Sequence, residues 1–269
     1  MFGQRILILI PHPDDEVVAC GASIGRARAD GAEIFGLFLT SGCIAQELLW
    51  PWQRKNHDLI VARWRVEAER AARLLGLKPV GFALRPTRSV IHELKDALDE
   101  IREAVVRYDI DQIWTPAYEG GHADHDAINF LASLLQKEVP VLEFAEYNNA
   151  GGHVNPNAFP KPSSKDQMIR LTPDERMRKI EALELYASER KNLGYVGLAH
   201  ESFRPLPAHD YSRPPHAGRL WYARFQWVPF RHPRIDFTKP SDVCDALLSF
   251  ARASGLPAPA RQSAPAHKE

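Results

Sequence analysis

Pro11-His12-Pro13-Asp14-Asp15-Glu16 sets an imidazole and three carboxylates directly after the apolar run Ile6-Leu7-Ile8-Leu9-Ile10. A strand that ends in such residues delivers metal-ligating and proton-carrying groups to the carboxyl end of a sheet, where open α/β sheets bind what they act on. A second cluster, Gly121-His122-Ala123-Asp124-His125, follows the short apolar run Gln112-Ile113-Trp114. Taken alone, Asp14 or Asp15 reads as a helix N-cap and His122 as a loop histidine. Two strand-end clusters of His and Asp are hard to explain as packing and point to a metal site.

The elements that must position these groups alternate. Arg5–Ile10 reads as a buried strand and Asp15–Ala29 as a helix, with Ala19, Gly21, Ala22 and Gly25 letting it lie close to a sheet. Strands follow at 33–40, 79–84, 111–115 and 141–147. Helical spacing covers 60–75, 90–108 and 127–135, with Gly76 ending the first of these. Such alternation predicts a doubly wound, mostly parallel α/β sheet of order 3-2-1-4-5. In that order strands 1 and 4 are neighbours at the switch point, so the two clusters flank one crevice.

Residues 150–164 break the rhythm with Gly151, Gly152, Pro156, Pro160 and Pro162, and read as a lid, a binding loop or a disordered insertion. Thr172-Pro173-Asp174-Glu175 opens a helix expected to run to about Lys191, with Met177, Ile180, Leu183 and Ala187 inward. Residues 203–240 are expected to wrap the domain as irregular chain and short strands, with a last helix at 242–253. One domain, 1–253, and a disordered tail, 254–269, complete the expected organisation.

Formal net charge is zero, from 34 basic and 34 acidic residues, and no basic tract marks a nucleic-acid partner. Three scattered cysteines suggest neither a disulfide framework nor a cysteine zinc site. The five-residue N-terminal apolar run is too short for a signal core or a membrane span, so a cytoplasmic protein is expected.

The two motifs resemble those of the PIG-L/LmbE family of zinc-dependent N-deacetylases. The resemblance extends through Thr40-Ser41-Gly42, Glu67, Ala71, Ala72, Leu75 and Gly76, then Lys179, Ala182, Tyr186, Ser188 and Glu189, to Glu201 and Phe203. It implies a three-layer Rossmann-like scaffold and removal of an acetyl group from an N-acetylated amino sugar or glycoconjugate. It implies His12, Asp15 and His125 as ligands of one divalent ion per chain, most naturally Zn2+, with Fe2+ or Co2+ able to substitute. Asp14 would then be the general base, His122 the group that stabilises the oxyanion or helps protonate the amine, and Asp124 the partner that fixes a histidine ring.

Two positions depart from the family pattern. Trp64 stands where members commonly carry a substrate-contacting arginine, so that role either shifts to Arg65 or gives way to an aromatic wall; the apolar face of its helix points to core packing for Trp64. Gly120 stands where many members place a tyrosine, and Tyr118 either replaces that hydroxyl or stands at the rim. Trp50 and Trp52 form either a sugar-stacking platform or the packing of their own loop. Two other functions remain open: a metal-dependent amidase or esterase acting on another small conjugate, and a non-catalytic sugar-binding domain. The absence of a Gly-x-Gly-x-x-Gly turn after strand 1 disfavours a nucleotide-binding version of the latter. Oligomeric state is not legible.

Overall fold

The computed structural model describes residues 1–190 and 193–255. The expected tail therefore lies, from residue 256 on, outside the described residues. In chain order the elements are β1 (Arg5–Ile10), α1 (Asp15–Ala29), β2 (Glu33–Phe38), α2 (Pro51–Arg54), α3 (His57–Leu75) and β3 (Lys78–Phe82). There follow α4 (Leu94–Arg107), β4 (Gln112–Pro116), α5 (Ala123–Ser133), β5 (Val141–Ala145), β6 (Tyr147–Asn148) and β7 (Asn155–Pro156). The rest are β8 (Gln167–Arg170), α6 (Pro173–Glu184), β9 (His200–Pro205) and α7 (Pro240–Ala253).

The main sheet runs β3-β2-β1-β4-β5-β9-β8. Its first five strands are parallel, in the expected order, and β9 and β8 add antiparallel at one edge. Side chains of β1 alternate between two cores. Leu7 and Leu9 pack with α4, α5 and α7; Ile6, Ile8 and Ile10 pack with α1, α3 and α6. Helices on both faces make three layers, and all five residues are fully buried. Each contributes about 1.5–3 kcal/mol of hydrophobic stabilisation.

Several elements differ from expectation for local reasons. Helix α5 begins at Ala123 rather than residue 127, because the His122 ring Nδ1 accepts the Asp124 N–H at 3.1 Å and caps it. The second motif thus rides on a helix start. Helix α6 has the expected Thr172–Glu175 capping box but stops at Glu184. Its buried side is Lys179 and Ala182, whereas Met177 and Ala187 are exposed. The reason is electrostatic: Lys179 Nζ donates to Glu201 Oε1 at 2.9 Å, with both side chains fully buried. Glu201 also accepts the mid-helix N–H groups of Ala22 and Ser23 and the Ser23 hydroxyl. One carboxylate on β9 thereby binds α1 and α6 together.

Candidate metal and catalytic site

The carboxyl ends of β1 and β4 lie side by side, as the register Ile8↔Trp114 requires, so the two motifs meet. Thr40, just past β2, donates its hydroxyl to the Pro11 carbonyl at 2.7 Å and ties the neighbouring strand ends together. Asp14 follows with φ 120°, a left-handed value that a non-glycine residue adopts at a cost of about 1–3 kcal/mol. Its N–H donates to Glu16 Oε2 at 3.2 Å, and Glu16 in turn accepts the Tyr186 hydroxyl. Asp14 sits at the N-cap of α1, yet its carboxylate makes no capping bond. It is left for chemistry.

Three candidate ligand atoms converge. His12 Nδ1 and His125 Nε2 each lie 3.2 Å from Asp15 Oδ2 and 3.2 Å from one another. A tetrahedral shell with bonds of ~2.0–2.1 Å has edges of ~3.3 Å, so this triangle has the size of one face of such a shell. His12 Nε2 faces Asp124 Oδ2 at 3.0 Å, which puts the ring proton there and turns the Nδ1 lone pair inward. Glu146 Oε2 lies 3.4 Å from His125 Nδ1, both fully buried, without hydrogen-bond geometry between them. Of the two histidines, His12 is thus backed by a bonded carboxylate, the usual support of a metal-ligating imidazole. The arrangement can hold one metal ion. His12, His122 and Asp124 form an overlapping candidate group. There, however, Asp124 is already engaged by Thr87 Oγ1 and by the N–H groups of Arg88 and Val90.

The electrostatics suit a bound cation. Burial alone would raise Asp15, but the His125 and His12 imidazoles outweigh it and hold it well below the usual carboxylate range. Asp14 is pushed well above that range by burial and by Asp15, Glu189 and Glu16. Burial would lower His12, yet Asp15 and Asp124 raise it to about 9. His122 is pushed well below its ordinary value by burial and by His12, and is a neutral ring. Because its Nδ1 accepts the Asp124 N–H, its proton sits on Nε2, which makes it a donor.

These groups floor a cavity of about 380 Å³, the size of a small-ligand site. Residues 7–135 match the sequence family described as PIG-L: GlcNAc-PI de-N-acetylase. Over those residues, just under half of its length, the chain is similar to the PIG-L family. Diacetylchitobiose deacetylase of Thermococcus kodakarensis is 24% identical over 226 residues, which is 81% of this chain and 73% of that protein. The 2'-N-acetylparomamine deacetylase of Streptomyces fradiae is 31% identical over 139 residues, 45% of this chain and 48% of that one. The solved deacetylase of the teicoplanin biosynthesis pathway shares the fold, with a TM-score of 0.60 at 21% identity, over 75% of this chain and 97% of the other.

The cavity walls depart from the sequence expectations. Trp50 and Trp52 stack on each other at 5.3 Å and are not on its wall. Arg65 turns away, donating to Glu69 and lying over the Phe82 ring. Tyr118 is buried, with its hydroxyl donating to the Arg213 carbonyl. Trp64, expected in the core, lines the cavity instead. Its ring packs where a Cβ on Gly42 would stand, 2.4 Å away, and Gly42 has φ 75°. No residue of 150–164 lines the cavity, and His153 is exposed beside the Gly151 carbonyl. The outer wall is formed by residues within 221–236, among them Trp221, Arg224 and Asp236. Gly120 is explained by the same segment: Trp221 N–H donates to the Gly120 carbonyl, and a side chain at Gly120 would strike Leu220. Sequence reasoning also missed Glu146, Thr87 and Arg88, which stand alone in the chain and carry no motif.

Proposed function

We propose that this chain is a zinc-dependent N-deacetylase of the PIG-L type that removes the acetyl group from an N-acetylated amino sugar or glycoconjugate. The observation that carries the reading is the 3.2 Å triangle of His12 Nδ1, Asp15 Oδ2 and His125 Nε2, with the uncapped, backbone-strained Asp14 next to it. Two imidazoles and one carboxylate suit zinc at a catalytic site, and Fe2+ or Co2+ fit the same donors. The ion would supply Lewis acidity to a water and to the amide carbonyl. Asp14 takes the proton of the attacking water as the C–O bond forms. His122 Nε2–H donates to the carbonyl oxygen as it gains charge. Asp14 returns the proton to the departing nitrogen as the C–N bond breaks, leaving amine and acetate. Trp64, Trp221 and Phe225 on the walls suit the apolar faces of a pyranose ring.

The three cysteines are buried and unpaired, which suits a reducing compartment and supports a cytoplasmic site of action. Among the described residues no helix is long and apolar enough to cross a membrane. The test is to incubate the zinc-loaded protein with N-acetylglucosamine, N,N'-diacetylchitobiose and N-acetylglucosaminides, measuring free amine and acetate. Equimolar release from at least one of these is expected. Hydrolysis confined to acetyl esters or non-sugar amides would contradict the reading.

A further inference from the structure

Two buried atoms of residues that line the cavity, Arg88 Nε and Asp236 Oδ2, lack hydrogen-bond partners. They form an ion pair at 4.0 Å, too long for a hydrogen bond between them. The rest of each side chain is anchored. Arg88 Nη1 donates to the Ile235 carbonyl at 3.0 Å, and Asp236 Oδ1 accepts the Thr238 N–H at 2.8 Å. The Arg88 backbone is held too: its N–H donates to Asp124 Oδ2 at 2.6 Å, and its φ of 71° is left-handed. Asp124 is the carboxylate that orients His12. The orphaned pair is therefore rigid and referenced to the reacting centre.

The chemistry of the gap selects its occupant. One side offers an N–H donor and the other a carboxylate acceptor, so a bridging group must accept and donate together. A phosphate or carboxylate would meet the Asp236 oxygen with like charge, and an ammonium would meet the guanidinium. A hydroxyl satisfies both. An oxygen ~2.8 Å from each atom closes the 4.0 Å gap with an angle of about 90° at that oxygen, a shape a hydroxyl accommodates. Buried donors and acceptors are expected to be paired. We infer that Arg88 and Asp236 form a clamp that reads one ring hydroxyl of the substrate and so sets which sugar, and which pose, reaches Asp14. The inference rests on the sugar-deacetylase reading above and deepens it. The clamp joins two distant pieces of chain, the turn after β3 and the segment before α7.

The test uses the zinc-loaded full chain with N-acetylglucosamine, or the N-acetylglucosaminide it hydrolyses best, and the 3-, 4- and 6-deoxy analogues of that sugar. The unmodified protein should lose ~10²-fold in kcat/KM on one analogue and change little on the others, because that analogue leaves both clamp atoms unpaired. In Asp236→Asn and Arg88→Lys the ratio between parent sugar and that analogue should collapse to within about threefold, with zinc content unchanged. Equal rates on all three analogues would overturn the clamp, and so would variants that slow every sugar alike and keep the ratio. Either result would assign the gap to a water. If no N-acetyl sugar releases amine at all, the deacetylase reading fails and takes the clamp with it.

Discussion

At the scale of single residues, the site divides labour between neighbours of the same type. Asp14 and Asp15 are adjacent, yet one is free of capping bonds on a strained backbone and the other is locked between two imidazoles. His122 is separated from His125 in the same way: its Nδ1 is spent on the helix N-terminus, which leaves Nε2–H as a donor. Replacing His122 with Ala should lower kcat by ~10²–10³-fold, the effect of losing one oxyanion donor, with little change in zinc content or KM. Steady-state kinetics with metal analysis would check this, and loss of zinc in the variant would make His122 a ligand. The residues of this floor were legible in the sequence because strand-end motifs bring His12, Asp14 and Asp15 against His122 and His125. The carboxylates behind them were legible only in part: Asp124 lies inside a motif, whereas Glu146 sits alone after β5 and gains meaning only from its 3.4 Å approach to His125. Arg88 and Asp236 are 148 positions apart in the numbering and invisible as a pair.

At the scale of elements, periodicity located the helices and parallel strands well, and failed where one polar contact overrode it. Helix α6 illustrates this. Apolar spacing assigns Met177 and Ala187 to the buried side, but the Lys179–Glu201 pair turns a different face inward. Strands β8 and β9 were missed as members of the main sheet. They are four and six residues long, and β9 mixes Glu201, Arg204 and Phe203 rather than forming an apolar run. Lys179→Met should destabilise the fold by about 3–5 kcal/mol, since it leaves the Glu201 carboxylate buried without its cation. Urea unfolding would measure it. A loss under 1 kcal/mol would show that the Ala22 and Ser23 hydrogen bonds suffice to hold that charge.

At the scale of the whole molecule, the parallel sheet does one thing for function: it sets the ends of β1 and β4 side by side. That order was readable from the strand–helix alternation, because chirality and switch-point rules leave few alternatives. The cavity's outer wall was not readable, since residues 221–236 follow no period that names a partner. Burial and the neighbouring Asp15 push Asp14 and Glu146 well above the usual carboxylate range beside the two candidate histidine ligands, a cost that a bound cation would relieve. Zinc at ~100 times its Kd should add about 2.7 kcal/mol to stability, so chelation should lower Tm by several degrees and zinc should restore it. An unchanged Tm in protein shown to have lost its metal would argue against that coupling. The central claim is that three side chains hold the metal while a fourth, Asp14, does the proton transfer. It is tested most directly by measuring zinc content and turnover together in His125→Ala and Asp14→Asn. The account predicts that His125→Ala loses zinc and activity alike, and that Asp14→Asn keeps one zinc per chain while kcat falls ~10²–10⁴-fold; zinc lost from Asp14→Asn, or retained in full by His125→Ala, would contradict it.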